Sequence, residues 1–333
     1  MEKERMCSLK LIKNEFRKVV NFKNIFSVSL VLIVIFILFA LLLEMDADVM
    51  LEGASAEEVL LYEKIEEATD WRERYQLRIQ LYEILEDVYG KEYVDMKRSV
   101  LQYRLDNNIA PNKTGNNAFN FISHTFSSIG FIIVIIASLF FTKVLDIEYH
   151  NKTEKILYTK PYSRINIHIS KYIFSTVLVF FLICFCYLVL FLIGGIFFSY
   201  EGYNAVSVVY FNNKILKTTI IGESLIYLLI IFINSFICGT ISYVFCNVLH
   251  SRMGGLGIGL VIYFIGNSIT QKIFESGAKW IVYVPFSYSD WMMFIDNPLN
   301  SSFRLSYAIF LNVVMLITFI LISCVVIKKR DIK

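Results

Sequence analysis

The sequence predicts an all-α polytopic membrane protein with six transmembrane helices, both termini cytoplasmic, and a small extracytoplasmic α-helical domain between the first two spans. Three observations predict it. First, 56% of the 333 residues are hydrophobic, 18% are charged and mean hydropathy is +0.57, too apolar for a soluble domain. Second, six windows carry no Asp, Glu, Lys or Arg: 24–43, 114–142, 172–200, 224–251, 253–271 and 305–327. Each matches the roughly 20 residues that a helix needs to cross a bilayer core. Strict apolar–polar alternation is absent, which argues against a membrane β-barrel, and backbone satisfaction in lipid then requires helices. Third, Lys and Arg are asymmetric. Seven precede the first window, six fall in 143–171, Arg252 lies in a short connection and four follow the last window. The outer connections 200–222 and 272–304 hold five in all. This bias places both termini inside.

Residues 1–23 contain an amphipathic helix over 8–22. Leu9, Ile12, Phe16, Val19 and Val20 recur at helical spacing, and Lys10, Lys13, Arg17 and Lys18 fall elsewhere, as in a helix lying in the membrane interface. The basic flank and the length of the next apolar run mark the first span, 24–43, as an uncleaved helix rather than a signal peptide.

Segment 44–120 is the extracytoplasmic helical domain. Ser55 and Glu58 have capping-box spacing. Leu61, Ile65, Ala68, Trp71, Tyr75, Ile79, Tyr82, Leu85 and Tyr89 then recur at steps of three and four, predicting one helix of roughly nine turns. Gly90 stops it, and a second helix over 91–106 ends at Asp106-Asn107-Asn108 and Pro111.

The second span covers 121–145, with His124 near its outer end as an interfacial hydrogen-bonding residue. The third covers 172–199, with Gly194 and Gly195 allowing close packing or a kink. A Tyr- and Asn-rich outer loop, 200–222, leads to the fourth span, 223–249. Glu223 at its start, with Asn234 and Ser235 deep inside, are candidates for a substrate path, interhelix hydrogen bonding being the other role for the last two. The inner connection 250–254 is so short that the fourth and fifth spans form an antiparallel hairpin. The fifth, 255–271, opens with Gly255 and Gly259 in a G-x-x-x-G spacing that lets two backbones approach, either within this chain or between subunits. Trp280, Tyr283, Phe286, Tyr288 and Trp291, with Pro285 and Pro298, make 272–304 an aromatic outer segment of short re-entrant helices. The sixth span, 305–327, precedes a cytoplasmic tail, 328–333, that opens with Lys328-Lys329-Arg330.

One polar stretch between two long apolar spans organises the chain. It is 146–171, DIEYHNKTEKILYTKPYSRINIHISK. Thr153 and Glu154 early and Lys160 late suit a short helix whose dipole is complemented at both ends. Pro161 disfavours helix at the residue before it, and Ser163 is placed to cap a helix running on through Lys171. The ordered set Glu148, Thr153, Glu154, Leu157, Thr159, Pro161, Ser163, Arg164 and Lys171 resembles the first cytoplasmic loop of permease subunits of type-2 ABC transporters. The match covers about 26 residues; elsewhere only topology is similar. The resemblance implies a coupling helix that docks on a separate ATPase, with Glu148, Thr153, Leu157, Pro161 and Arg164 as ATPase-coupling residues. It also implies a second permease subunit, this chain or a homologue, and ATP with Mg on the partner ATPase rather than here. The elbow-like helix over 8–22 fits the same family.

No signature of intrinsic chemistry is present. The sequence lacks G-x-x-x-x-G-K-[ST], H-E-x-x-H and G-x-S-x-G, and His124, His150, His168 and His250 have no metal-type spacing. Cys184 and Cys186 lie in an apolar span without nearby His or carboxylate and read as packing residues. The sequence therefore predicts a non-catalytic transport subunit of a bacterial plasma membrane. It has no cofactor of its own, and it contacts lipid and ABC ATPase subunits but no nucleic acid. The first candidate for its cargo is a peptide or amphiphile, and the next an ion or lipid. Two other classes stay open: a membrane enzyme, such as an acyltransferase using His124, and a membrane sensor whose outer helices bind a ligand.

The topology is testable with single cysteines at Ser99 and Ser163 in a cysteine-free background. An impermeant thiol reagent applied to intact cells labels position 99 and spares 163; the reverse pattern refutes the arrangement.

Overall fold

The computed structural model describes residues 22–45, 56–111, 117–151, 163–298 and 302–329. Five helices are long and apolar enough to cross a bilayer: Ala118–Glu148, Arg164–Phe197, Ile220–Leu249, Arg252–Glu275 and Leu305–Lys329. A further helix, Phe22–Met45, carries a shorter apolar run, Ser27–Leu43. The chain is a predominantly helical, multi-pass membrane protein. In chain order the helices are α1 (Phe22–Met45), α2 (Ala56–Glu67), α3 (Trp71–Ile84), α4 (Glu86–Tyr89), α5 (Lys91–Asp106), α6 (Ala118–Asn151), α7 (Arg164–Phe197), α8 (Ile220–Leu249), α9 (Arg252–Glu275) and α10 (Leu305–Lys329). A hairpin of β1 (Val206–Phe211) and β2 (Lys214–Thr219) precedes α8.

Helix α8 is the centre of the bundle and packs on α6, α7, α9 and α10. Its small residues explain this. A Cβ at Gly239 would stand 2.3 Å from the Phe141 ring of α6, so the two helices meet where α8 has no side chain. The G-x-x-x-G spacing of α9 serves the same purpose from the other side. A Cβ at Gly255 would lie 2.3 Å from the Cys246 amide nitrogen, and one at Gly259 would lie 2.7 Å from Cα of Ser242. The backbone that Gly255 and Gly259 approach therefore belongs to α8 of the same chain. Hydroxyls on this seam bond locally or across it: Thr240 donates to the Phe236 carbonyl at 2.7 Å, and Ser138 donates to Cys238 Sγ at 3.1 Å. In lipid, small residues and polar contacts of this kind hold helices that the hydrophobic effect does not drive together. The connection from α8 to α9 is tight, with His250 at φ 55° and Ser251 accepting from the Gly254 amide at 3.2 Å as N-cap.

Outside the bundle two expectations change. The single long helix over 58–89 is broken at Ala68–Asp70. The Asp70 side chain accepts from the Arg72 amide at 3.2 Å, and Arg74 Nη2 donates to the Ala68 carbonyl at 2.8 Å, so one helix ends and a capped one begins. The apolar stripe survives the break, because Leu61, Ile65 and Leu81 still form one buried cluster. Gly90, at φ 82°, separates α4 from α5 as its conformational freedom allows. The second change is the β-hairpin, which makes the fold other than purely α. Asn212 and Asn213 both take positive φ, 50° and 59°, the geometry of a two-residue hairpin turn whose twist matches its strands. The register pairs Val206 with Thr219 and Phe211 with Lys214.

The aromatic segment between α9 and α10 forms three short 3-10 helices, Lys279–Tyr283, Pro285–Tyr288 and Trp291–Phe294. Tyr288, Phe294 and Phe303 are buried in one cluster, whereas Trp280 and Tyr283 are exposed. Asn312 of α10 donates to the Tyr288 carbonyl at 2.9 Å, and Ser289 donates to the Tyr263 carbonyl of α9 at 3.2 Å. The expected interfacial helix over 8–22 falls almost wholly, and Ser55 entirely, outside the described residues.

Two glycines of α9 separate close packing from helix propensity. Gly259→Leu forces α8 and α9 apart at a cost of about 1–3 kcal/mol. Gly257→Leu, whose Cβ meets nothing within 4 Å, does not. The midpoint of heat-induced aggregation in detergent is expected to fall for the first variant only; equal behaviour of the two contradicts the assigned interface.

Candidate functional site

Helices α6 and α7 each span 34 residues, about 51 Å at 1.5 Å per residue, well beyond a bilayer core of about 30 Å. Their surplus length projects toward the polar connection between them. Thr153, Leu157 and Pro161 of that connection lie outside the described residues. Ser163 caps α7 as the sequence predicts, accepting from the Asn166 amide at 3.2 Å with extended backbone. Arg164 is the first residue of α7 and is half-buried.

The two helices are joined immediately inside the membrane-facing end of this connection. Lys171 Nζ donates to Glu148 Oε2, with Lys171 3% and Glu148 2% exposed. A buried pair of this kind contributes modestly as a pair, but removing one partner strands the other charge at a cost of several kcal/mol. Glu148 is thus an internal strut between α6 and α7. Its carboxylate is directed at Lys171 inside the bundle.

A second polar layer ties α7 to the rest of the bundle. His168 Nε2 and Ser323 Oγ of α10 are 2.8 Å apart, and the Tyr243 hydroxyl of α8 donates to the His168 carbonyl at 3.0 Å. Asn247 Nδ2 donates to the Ser323 carbonyl at 3.0 Å and to its hydroxyl at 2.8 Å. Tyr172 and Thr240 hydroxyls lie 2.8 Å apart, joining α7 to α8 one turn deeper. At the rim, Arg252 Nη1 of α9 stands 3.8 Å from Asp146 Oδ2 of α6. Hydrogen bonds among α7, α8 and α10, the Lys171–Glu148 pair between α6 and α7, and the Arg252–Asp146 ion pair between α9 and α6 together make a polar joint beside the polar connection. Among the described residues no three His, Cys, Asp or Glu side chains are grouped to hold a metal.

The candidate path residues are not assembled into one path. The Glu223 carboxylate, in the capped first turn of α8, accepts from the Ser207 hydroxyl of β1. Asn234 is engaged on both polar atoms: Nδ2 donates to Asp290 at 2.7 Å, and Oδ1 accepts from the Trp291 amide at 2.9 Å. Ser235 is fully buried. These contacts tie Glu223 to the hairpin and give Asn234 the hydrogen-bonding role that the sequence also offers, toward the 3-10 segment. His168, Tyr243, Asn247, Ser323, Asp290 and Asp296 escaped the sequence reading. Asp296 accepts from the Tyr210 amide at 3.3 Å and the Tyr227 hydroxyl at 3.2 Å, fastening the hairpin to the bundle. The usable signal was a polar side chain within or beside an apolar span, which in lipid demands a partner.

The profile of DUF2705, described as a protein of unknown function, matches residues 88–333. The chain belongs to the DUF2705 family. The match takes in the joint, the polar connection and the 3-10 segment, and begins after α1–α3. The Uncharacterized protein YhcI of Bacillus subtilis (strain 168) is 26% identical over 260 residues, covering 75% of this chain and 80% of that protein.

The buried pair has a distinctive signature. Glu148→Gln and Lys171→Met alone are each expected to cost about 3–5 kcal/mol, whereas Glu148→Leu with Lys171→Met recovers most of the loss. Thermal unfolding in detergent reads this out. Additive loss in the double variant refutes the strut.

Proposed function

We propose that this DUF2705 protein is the permease subunit of an ATP-driven exporter of the type-2 ABC class, in a bacterial plasma membrane. It has six spans, with both termini and residues 146–171 cytoplasmic. The observation that carries the reading is the ordered set Glu148, Thr153, Leu157, Pro161, Ser163 and Arg164 on the connection between the two longest helices. In this reading the helix over 152–160 seats in a groove of a separate ATPase, which binds ATP and Mg. Leu157 is its apolar anchor and Arg164 a charged positioner, while Pro161 ends the helix so that force enters α7. The polar joint then has a purpose. A push on α7 reaches α6 through Lys171 and Glu148, and α8 and α10 through His168, Tyr243 and Ser323. Two such subunits, identical or homologous, form the pathway for a peptide or amphiphile, and the outer helices handle cargo.

The test uses a Walker-A ATPase sought among the neighbouring reading frames and co-expressed with this chain. Burial of Leu157 contributes about 1.5–3 kcal/mol to docking. Leu157→Asp is expected to release the ATPase on purification in detergent while the variant stays membrane-inserted. Retention at wild-type stoichiometry and activity overturns the coupling role.

A further inference from the structure

An apolar groove opens between α1 and α6 close to the polar joint. Its walls are Val28 and Val31 of α1 and Ile136, Leu139 and Phe140 of α6, and its volume is about 260 Å³. Lys143 and Arg252 stand together at one end of it. Among the described residues, the Lys143 ammonium meets only the Phe140 ring, at 5.9 Å from its centroid. The Arg252 guanidinium faces Asp146 at 3.8 Å through Nη1, and its Nε is buried without a hydrogen-bond partner. Two cations against one carboxylate leave a single net positive charge at the mouth of a hydrocarbon-lined slot.

We propose that this groove is a specific site for one anionic glycerophospholipid, with its phosphate held between Lys143 and Arg252 and an acyl chain laid along Val28, Val31, Ile136 and Leu139. The charges match, since a phosphodiester carries one negative charge. The geometry matches too. Lys143 lies two turns before the C-terminus of α6 and Arg252 opens α9 at its N-terminus, so the antiparallel helices bring both cations to the same side of the bundle, where a headgroup lies, and the slot runs inward from them. The unpartnered Nε of Arg252 is the donor that a phosphate oxygen satisfies. A free phosphate has no use for the apolar walls, which is why the occupant is a lipid. The site needs only a membrane-embedded chain. Its assignment to the cytoplasmic leaflet rests on the exporter topology proposed above, but its occupancy does not.

The test is lipid retention by the full chain in detergent, read by native mass spectrometry after exposure to mixed micelles of phosphatidylglycerol and phosphatidylcholine. Wild-type protein is expected to keep one phosphatidylglycerol. Lys143→Gln with Arg252→Gln loses retention about tenfold, two interfacial cations being worth at least that, with phosphatidylcholine unchanged. Val31→Trp, at a side chain 50% exposed, fills the slot while keeping both cations and also loses the lipid. Lys328→Gln with Lys329→Gln removes two cations of α10 that do not line the groove and retains it. Unchanged retention in either groove variant, equal loss in the α10 variant, or displacement of the lipid by millimolar inorganic phosphate overturns the site. None of these readouts involves an ATPase, so their failure leaves the coupling reading standing, and the reverse also holds.

Discussion

Everything in this bundle depends on how closely other backbones approach α8. A helix surrounded by lipid gains nothing from burying one more leucine, because the acyl chains are as apolar as the side chain. Association must come from van der Waals contact at short range and from polar groups that lipid cannot satisfy. Helix α8 supplies both. Gly239 admits the Phe141 ring of α6, Ser242 and Cys246 admit Gly259 and Gly255 of α9, and Thr240 reaches Tyr172 of α7. Bulk at any of these points would push the helices apart and weaken the polar contacts between them.

The polar side chains of α8 then divide the molecule into two fastened ends. Toward one end, Asn234 grips the 3-10 segment at Asp290 and Trp291, and Glu223 and Tyr227 hold the hairpin and its Asp296 contact. Toward the other, Tyr243 and Asn247 reach His168 and Ser323 beside the buried Lys171–Glu148 pair. An isolated charge or amide in such surroundings is expensive, which is why the Lys171–Glu148 pair and both polar atoms of Asn234 are partnered.

The span windows, the α9 glycines, the Ser163 cap and the stop at Gly90 were legible because each depends on neighbours within a turn or two. The break at Asp70 was also locally encoded, but the continuous apolar stripe through Leu61, Ile65 and Leu81 masked it, since packing tolerates a stripe that passes from one helix to the next. The hairpin was legible in principle: Asn212-Asn213 sits between Val206–Phe211 and a run of Ile215, Leu216, Thr218 and Thr219. Short strands inside a helical chain are easily absorbed into a polar loop when only long periodicities are sought.

By itself, the sequence determined that the chain crosses a membrane repeatedly as helices, and that its most distinctive polar stretch lies between the second and third apolar spans. Hydropathy and backbone satisfaction in lipid depend on composition along a line, so a line of letters carries them. Only the tertiary structure decided which polar groups face which. It turned Glu148 inward to Lys171, bonded Asn234 to Asp290 and Trp291, and gave Gly255 and Gly259 a partner in their own chain. These choices follow from which helix faces meet across the bundle. Residues far apart along the chain are brought together by packing geometry, and no local pattern records that geometry.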